Sequence, residues 1–222
     1  MPAEKVAICV PVRVAPPGVW FAHFNEFLNH LNEIGQPYKL FPLHDPTNNI
    51  SIIRETLAER VLEDGTCPWM LWFDDDVFFP MNVLELFFET GKKACSGIYW
   101  NRHNNVAAPL LQKFPDKQAA YPYWGFETET LFPIHAAGFG CFFINVEVFN
   151  HLIRPWFDVV MAGMGEDIFF CYRLSATPQV VELGYELYAE AKAVCKHLVM
   201  TDGVPSYLPD EETWRIVNEF YA

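Results

Sequence analysis

The chain has 222 residues, 51% of them apolar and 19% charged, which excludes a disordered tail or a collagenous scaffold and leaves one globular domain with a substantial core as the expectation. With 15 Lys and Arg against 28 Asp and Glu the formal net charge is −13, so duplex nucleic acid would meet a repulsive average field and is excluded as an expected partner. A small phosphorylated ligand stays in play, provided that a metal or a local basic group neutralises its phosphates.

Six cysteines (Cys9, Cys67, Cys95, Cys141, Cys171, Cys195) are scattered without a C-x-x-C pair, and most stand inside apolar runs. That usage predicts buried thiols in a reducing compartment. The run from Val6 to Val12 is short, contains Pro11 and is followed by Arg13, so it reads as neither a signal peptide nor a spanning helix. The expectation is a cytoplasmic protein with no integral membrane segment, its oligomeric state left open.

Val6 to Val10 is a continuous β-favouring run stopped by Pro11, as in a strand buried on both faces of a parallel sheet. Trp20, Phe24, Phe27, Leu28, Leu31 and Ile34 then recur at helical spacing before Gly35 and Pro37, which predicts a helix over about 18 to 34. Lys39 to Leu43 reads as a second strand. Ser51 is the expected cap of a helix carrying Ile52, Ile53, Leu57, Val61 and Leu62. Trp69 to Phe73 is the next buried strand, and Pro80 opens a helix that runs to Gly91. Residues from 100 to about 134 loosen into a polar, Pro-rich and aromatic stretch, either a binding wall or irregular packing. Phe139 to Val146 resumes as strand, Glu166 to Leu174 as helix, and Ala193 to Met200 as strand. Pro209 to Phe220 reads as an acid-started amphipathic helix docked on its own domain. This alternation predicts a three-layer α/β/α domain with a mostly parallel, mixed central sheet, whose ligands sit off the carboxyl ends of the strands.

Asp74, Asp75 and Asp76 follow directly on the Trp69 to Phe73 strand. Three adjacent carboxylates repel, and burial worsens the repulsion, so a divalent cation is the simplest group to hold them. An extended segment would turn Asp74 and Asp76 to one side and Asp75 to the other. A solvated acidic turn capping the next helix is the alternative. Glu166 and Asp167, at a helix start, offer either a general base or a dipole-stabilised cap. His197, inside an apolar strand, is either a metal ligand or a satisfied core residue.

In this order, Phe73-Asp74-Asp75-Asp76-Val77, then Gly138-Phe139-Gly140-Cys141, then Gly165-Glu166-Asp167-Ile168, then His197, the motifs resemble those of GT-A glycosyltransferases, especially family 2 type enzymes. The resemblance covers roughly residues 5 to 200. It implies one GT-A-like catalytic domain over 1–222, with a nucleotide-binding half (1–100), an acceptor and metal half (101–200) and a carboxyl-terminal helix (201–222). It implies a metal site of Asp74, Asp76 and His197, with Asp167 as the base and Glu166 beside it. Asp74 would contact ribose or metal, and Asp75 has the weaker claim on the cofactor side. Pro11, Arg13, Asp45 and Arg54 would face the nucleotide, although Arg13 stands where the family often has a small polar residue. For Asp45 a turn residue is the alternative reading, and for Arg54 a surface helix charge. Gly138 and Gly140 would let backbone approach the sugar or acceptor, or simply bend a strand. Among the aromatics, Trp124 and Trp156 stand in loop context and are the best sugar contacts.

A cation held by carboxylates and a histidine keeps positions open for phosphate oxygens, and the histidine tilts the choice from Mg²⁺ towards Mn²⁺. The expected substrates are a UDP- or GDP-linked nucleotide-sugar and a hydroxyl acceptor, and the expected transfer is inverting. A metal-dependent nucleotidyl or phosphoryl transferase is the alternative enzyme, although no Gly-rich phosphate loop follows the first strand. A non-catalytic GT-A-like nucleotide-binding protein is the other.

Overall fold

The computed structural model describes residues 4–12, 18–45, 49–98, 100, 111–113, 121–122, 131–159, 165–201 and 204–208, with the backbone alone for 111–113, 121–122, 200–201 and 204–208. The first half alternates as the sequence predicts: β1 (Val6–Val12), α1 (Gly18–Glu33), β2 (Tyr38–His44), α2 (Ile50–Asp64) and β3 (Trp69–Phe73). Then come β4 (Val77–Phe78), α3 (Val83–Glu89), β5 (Ala94–Ile98), β6 (Leu111–Lys113), β7 (Tyr121–Pro122), β8 (Leu131–Pro133), β9 (Ala136–Ala137) and β10 (Cys141–Asn145). A 3-10 turn at Val146–Asn150 precedes α4 (Glu166–Ala176), α5 (Pro178–Glu182), β11 (Tyr188–Val194), β12 (Lys196–Thr201) and β13 (Val204–Leu208).

The central sheet has seven strands in the order β2-β1-β3-β10-β5-β11-β8. β1 is parallel to β2 and β3, β5 is parallel to β11, and β10 runs antiparallel between β3 and β5. With β8 antiparallel at the edge, five of the seven strands share a direction. Two small three-stranded sheets, β13-β12-β4 and β7-β6-β9, complete the architecture.

Alternation along β1 explains why its apolar run is unbroken. Val6, Ile8 and Val10 pack with Trp20, Phe24, Phe27 and Leu31 of α1, whereas Ala7 and Cys9 pack with Ile53, Leu57 and Val61 of α2. Every residue of such a strand meets a covering layer, so none can be polar. β3 divides likewise, with Leu71 and Phe73 on the α1 side and Met70 and Trp72 on the α2 side. Stacked rings tie the layers to the ligand end of the sheet: Phe73 lies 3.6 Å from Phe79, Phe139 lies 4.0 Å from Phe142, and Phe157 lies 4.9 Å from Phe170.

Several local expectations shift. The cap of α2 is Asn49, whose Oδ1 accepts from the amides of Ser51 (3.1 Å) and Ile52 (3.4 Å), so Ser51 lies inside the helix. α3 begins at Val83, after a turn that follows Pro80. The single strand predicted over 193–200 is broken at Cys195, whose N–H donates to the Ile98 carbonyl at 2.7 Å, and the chain passes there from the large sheet to the small one. β5 escapes the hydrophobic pattern because its interior is small: a Cβ at Gly97 would lie 2.9 Å from the Ala193 carbonyl and 3.0 Å from the sulfurs of Cys141 and Cys195. Of the predicted carboxyl-terminal helix, 201 and 204–208 form strand, and 209–220 lies outside the described residues. All six cysteines are buried thiols. Among the described residues no helix is long and apolar enough to cross a membrane.

Candidate active site

β3 ends at Phe73 and the chain turns at once. The Asp74 N–H donates to the Gly140 carbonyl at 3.2 Å, and the Asp74 carbonyl accepts from Val77 N–H at 3.2 Å. Val77 then pairs with His197 on β12, and the Asp76 carbonyl accepts from Leu198 N–H at 2.8 Å. The three acids therefore occupy the turn at which the chain leaves the large sheet for the small one. In a turn the two-residue alternation of an extended strand is lost, and Asp74 and Asp76 address different partners. Asp75 is buried within this turn.

Asp74 faces Arg54, which α2 carries inward among its core residues. Arg54 is 2% exposed, which overturns its reading as a surface charge. Its Nη2 donates to Asp74 Oδ1 at 2.8 Å, its Nη1 donates to Glu166 Oε1, and Nη1 lies 3.9 Å from Asp167 Oδ2. The guanidinium also covers the Phe139 ring at 5.3 Å. Burial alone would lower the Arg54 pKa, but Asp74, Glu166 and Asp167 outweigh it and raise the value, so the cation persists.

Glu166 and Asp167 open α4. Gly165 stands before them in extended conformation, and its carbonyl accepts the first helical bond from Phe169 N–H at 2.9 Å. Negative side chains in a first turn gain from the helix dipole. Burial and the neighbouring Glu166 charge nevertheless push the Asp167 carboxyl up to about 6, against the pull of Arg54 and of the Ile168 N–H, which donates to Oδ1 at 2.7 Å. A carboxyl titrating there is suited to proton transfer near neutrality.

Asp76 faces His197. Its Oδ1 lies 3.3 Å from His197 Nε2, while His197 Nδ1 bonds the Trp100 carbonyl at 2.7 Å. A carbonyl can only accept, so Nδ1 carries the proton and Nε2 is the nitrogen turned to the carboxylate. An imidazole oriented through a backbone carbonyl and set beside a carboxylate oxygen is the donor set of a metal-ligating histidine. Together an Asp76 oxygen and His197 Nε2 could ligate a divalent cation. Among the described residues no three Asp, Glu, His or Cys side chains converge into a cage.

At the nucleotide end, Pro11 is buried near the close of β1 and Val12 pairs with His44, whose Nδ1 bonds the Val12 carbonyl at 3.0 Å. Asp45, half-buried, follows directly and stands beside the end of β1. Arg13 and Trp124 lie outside the described residues. Gly138 and Gly140 sit in the bend before β10, and the Gly140 carbonyl holds Asp74. Trp156 is a core residue: it is 6% exposed, crosses Phe149 edge-on at 5.0 Å and donates to the Leu152 carbonyl. Two contributors carried no sequence signal, namely the Trp100 carbonyl and Glu55, and Phe139 stood out only as part of the Gly138-Phe139-Gly140-Cys141 motif. Glu55 accepts from the amides of Trp156 (2.8 Å) and Phe157 (3.0 Å) and from Arg154 Nε (3.0 Å). It thereby fixes one wall of a cleft of about 350 Å³ between α2 and residues 155–159.

No family model matches the chain, and no curated protein matches it in sequence. Among solved structures it is similar to A197 of STIV, with TM-score 0.58 and 17% identity over 94% of this chain and 96% of that one. It is also similar to GalNAc-T7, solved with UDP, GalNAc and Mn²⁺, with TM-score 0.50 and 10% identity over 98% of this chain and 48% of that one. A third likeness is to the inositol-1-phosphate CTP transferase of T. maritima, with TM-score 0.50 and 9% identity over 99% of this chain and 96% of that one. The fold is GT-A-like. It is an architecture shared by glycosyltransferases and a nucleotidyltransferase, and in this GT-A-like frame the acidic turn after β3 stands off the carboxyl end of its strand, where such sheets bind ligands.

Proposed function

We propose that the chain is a metal-dependent glycosyltransferase of family 2 type, moving a sugar with inversion from a nucleoside-diphosphate donor to an acceptor hydroxyl. The observation that carries this reading is the presence of two unlike acidic groups on the residues around the turn that follows β3, an Asp76–His197 pair with metal-ligand chemistry and Asp167 with a carboxyl raised to about 6. The neighbour solved with UDP and Mn²⁺ supports the same reading.

Asp76 and His197 would hold the cation, Mn²⁺ in preference to Mg²⁺. Bound there, it would supply positive charge to the diphosphate of the donor and offset the negative charge that develops on the leaving group. Asp45 and the end of β1 at Pro11 would receive the nucleoside, with Asp75 nearby. Asp167 would accept the proton of the acceptor hydroxyl as its oxygen bonds to the anomeric carbon. The bond from that carbon to the diphosphate breaks, and the nucleoside diphosphate leaves with its electron pair. Help of this kind is worth about 10² to 10⁴ in rate. Glu166, held by Arg54, stands beside Asp167 and helps to raise its carboxyl, which sustains the basicity that the transfer needs.

Calorimetric titration with UDP, GDP and CDP, each with and without Mn²⁺, tests the reading. One nucleotide should bind only with the metal. Absence of metal-dependent binding to all three would refute it. The likeness to a CTP transferase supports nucleotidyl transfer as a second reading, and the products separate the two: glycosyl transfer releases a nucleoside diphosphate, nucleotidyl transfer releases pyrophosphate.

A further inference from the structure

Two acids of one turn, Asp74 and Asp76, take different partners, Asp74 the Arg54 guanidinium and Asp76 the His197 imidazole. Electrostatics alone would bring both to a divalent cation, since each is a carboxylate on the same short turn. The difference lies in Arg54. We propose that Arg54 is a positioning residue that withdraws Asp74 from the cation and assigns it to the base side of the site, leaving Asp76 and His197 as the protein's metal pair. The inference rests on the metal-dependent reading above.

The withdrawal is built into the core. Arg54 is flanked along α2 by Ile53, Leu57 and Ala58, each 0% exposed, so its stem cannot follow a carboxylate that moves. Its fork is filled at both tips, Nη2 by Asp74 and Nη1 by Glu166, and its face is closed by Phe139. Asp74 is held from the other end as well, because its N–H is fixed on the Gly140 carbonyl. Charge-assisted bonds of a planar guanidinium in a buried site are among the stronger polar contacts a protein makes. A lysine could satisfy one of the two acids but not span both. The same cation therefore ties the end of β3 to the start of α4 and keeps the base side in register with the metal side. A cation held by only two protein groups would bind weakly alone and firmly once a diphosphate completes its shell.

The test uses Mn²⁺ alone, titrated into the full chain by calorimetry and followed by electron paramagnetic resonance. Asp74→Asn should leave the Mn²⁺ affinity within about twofold of the wild type, whereas Asp76→Asn should weaken it at least tenfold. Arg54→Met frees Asp74 and should tighten Mn²⁺ binding at least tenfold, or create it if the wild type binds too weakly to measure. Adding Asp74→Asn to Arg54→Met should remove that gain. A tenfold loss in Asp74→Asn would overturn the inference, because Asp74 would then already be a ligand. So would Arg54→Met binding no tighter than wild type. If Arg54→Met does not fold, Asp74→Asn alone decides. Mn²⁺ binding that ignores both Asp76 and His197 would instead sink the metal reading itself, a result distinct from either outcome for Asp74.

Discussion

Gly165 leaves Asp167 the space that its carboxylate occupies: a Cβ on Gly165 would stand 2.7 Å from Asp167 Oδ1. The backbone at Gly165 has φ −68° and ψ 165°, a conformation that alanine adopts without strain. Gly165→Ala should therefore fold with a melting temperature close to wild type and yet displace the base. The expected result is a drop of tenfold or more in transfer rate at unchanged affinity for nucleotide with Mn²⁺, measured by steady-state kinetics beside calorimetry. Undiminished transfer would show that the Asp167 carboxylate has no such precise place in the reaction.

The pH dependence of Asp167 has a definite sign. Its carboxyl is raised from 3.8 to about 6 by burial and by Glu166, so transfer should rise with pH through about 6 as the base ionises. Stability runs the other way. A raised carboxyl contributes stability that is fully present below its ordinary value and is lost as pH rises through 6. Asp167→Asn cannot ionise, so its melting temperature relative to wild type should climb between pH 4 and pH 7, while its transfer falls about 10²-fold or more. A flat difference in melting temperature would mean that Asp167 titrates normally.

How much of this was visible in the sequence depends on how far each feature reaches through space. β1 and β3 were legible because both faces of each are covered and the apolar run is unbroken. The acidic triplet was legible because it follows such a run. The sides taken by Asp74 and Asp76 were not, because the turn is set when Val77 pairs with His197 from far along the chain. β5 was hidden for a related reason: Gly97 is required by the approach of Ala193, Cys141 and Cys195, and a strand chosen for thinness has no hydrophobic signature. For Arg54 the sequence left a nucleotide contact and a surface helix charge both open, and its bond to both Asp74 and Glu166 was hidden because those partners come from two other elements.

His23 gives a second pH effect of opposite sign to that of Asp167. Its ring lies 4.9 Å from Phe78 and 4.8 Å from Phe79, and its Nε2 accepts the Phe79 N–H at 3.2 Å. Burial lowers its pKa from 6.5 despite the neighbouring Glu26. A lowered histidine contributes stability that is present above its ordinary value and is lost as pH falls through the depressed one. His23→Gln retains an acceptor for Phe79 and cannot gain the proton. Its melting temperature should hold up better than wild type between pH 6.5 and pH 4.5, and parallel curves would remove the assignment.

Glu55 makes the most economical stability test, because one carboxylate serves two backbone donors and Arg154. The amides of Trp156 and Phe157 donate to Oε2 at 2.8 Å and 3.0 Å, and Arg154 Nε donates to Oε1 at 3.0 Å. Glu55→Ala would strand both amides beside the buried rings of Trp156 and Phe157, and unsatisfied buried donors cost about 1 to 3 kcal/mol each. A total loss of about 2 to 5 kcal/mol is expected in urea unfolding, because some water reaches the segment. Glu55→Gln keeps an acceptor oxygen for the amides and loses only the charge, so its loss should be about half as large. Equal losses for the two variants would locate the contribution in the Arg154 ion pair instead of the amides. Since Phe157 stacks on Phe170 of α4, Glu55→Ala should also speed amide exchange at the start of α4, the turn that carries Glu166 and Asp167.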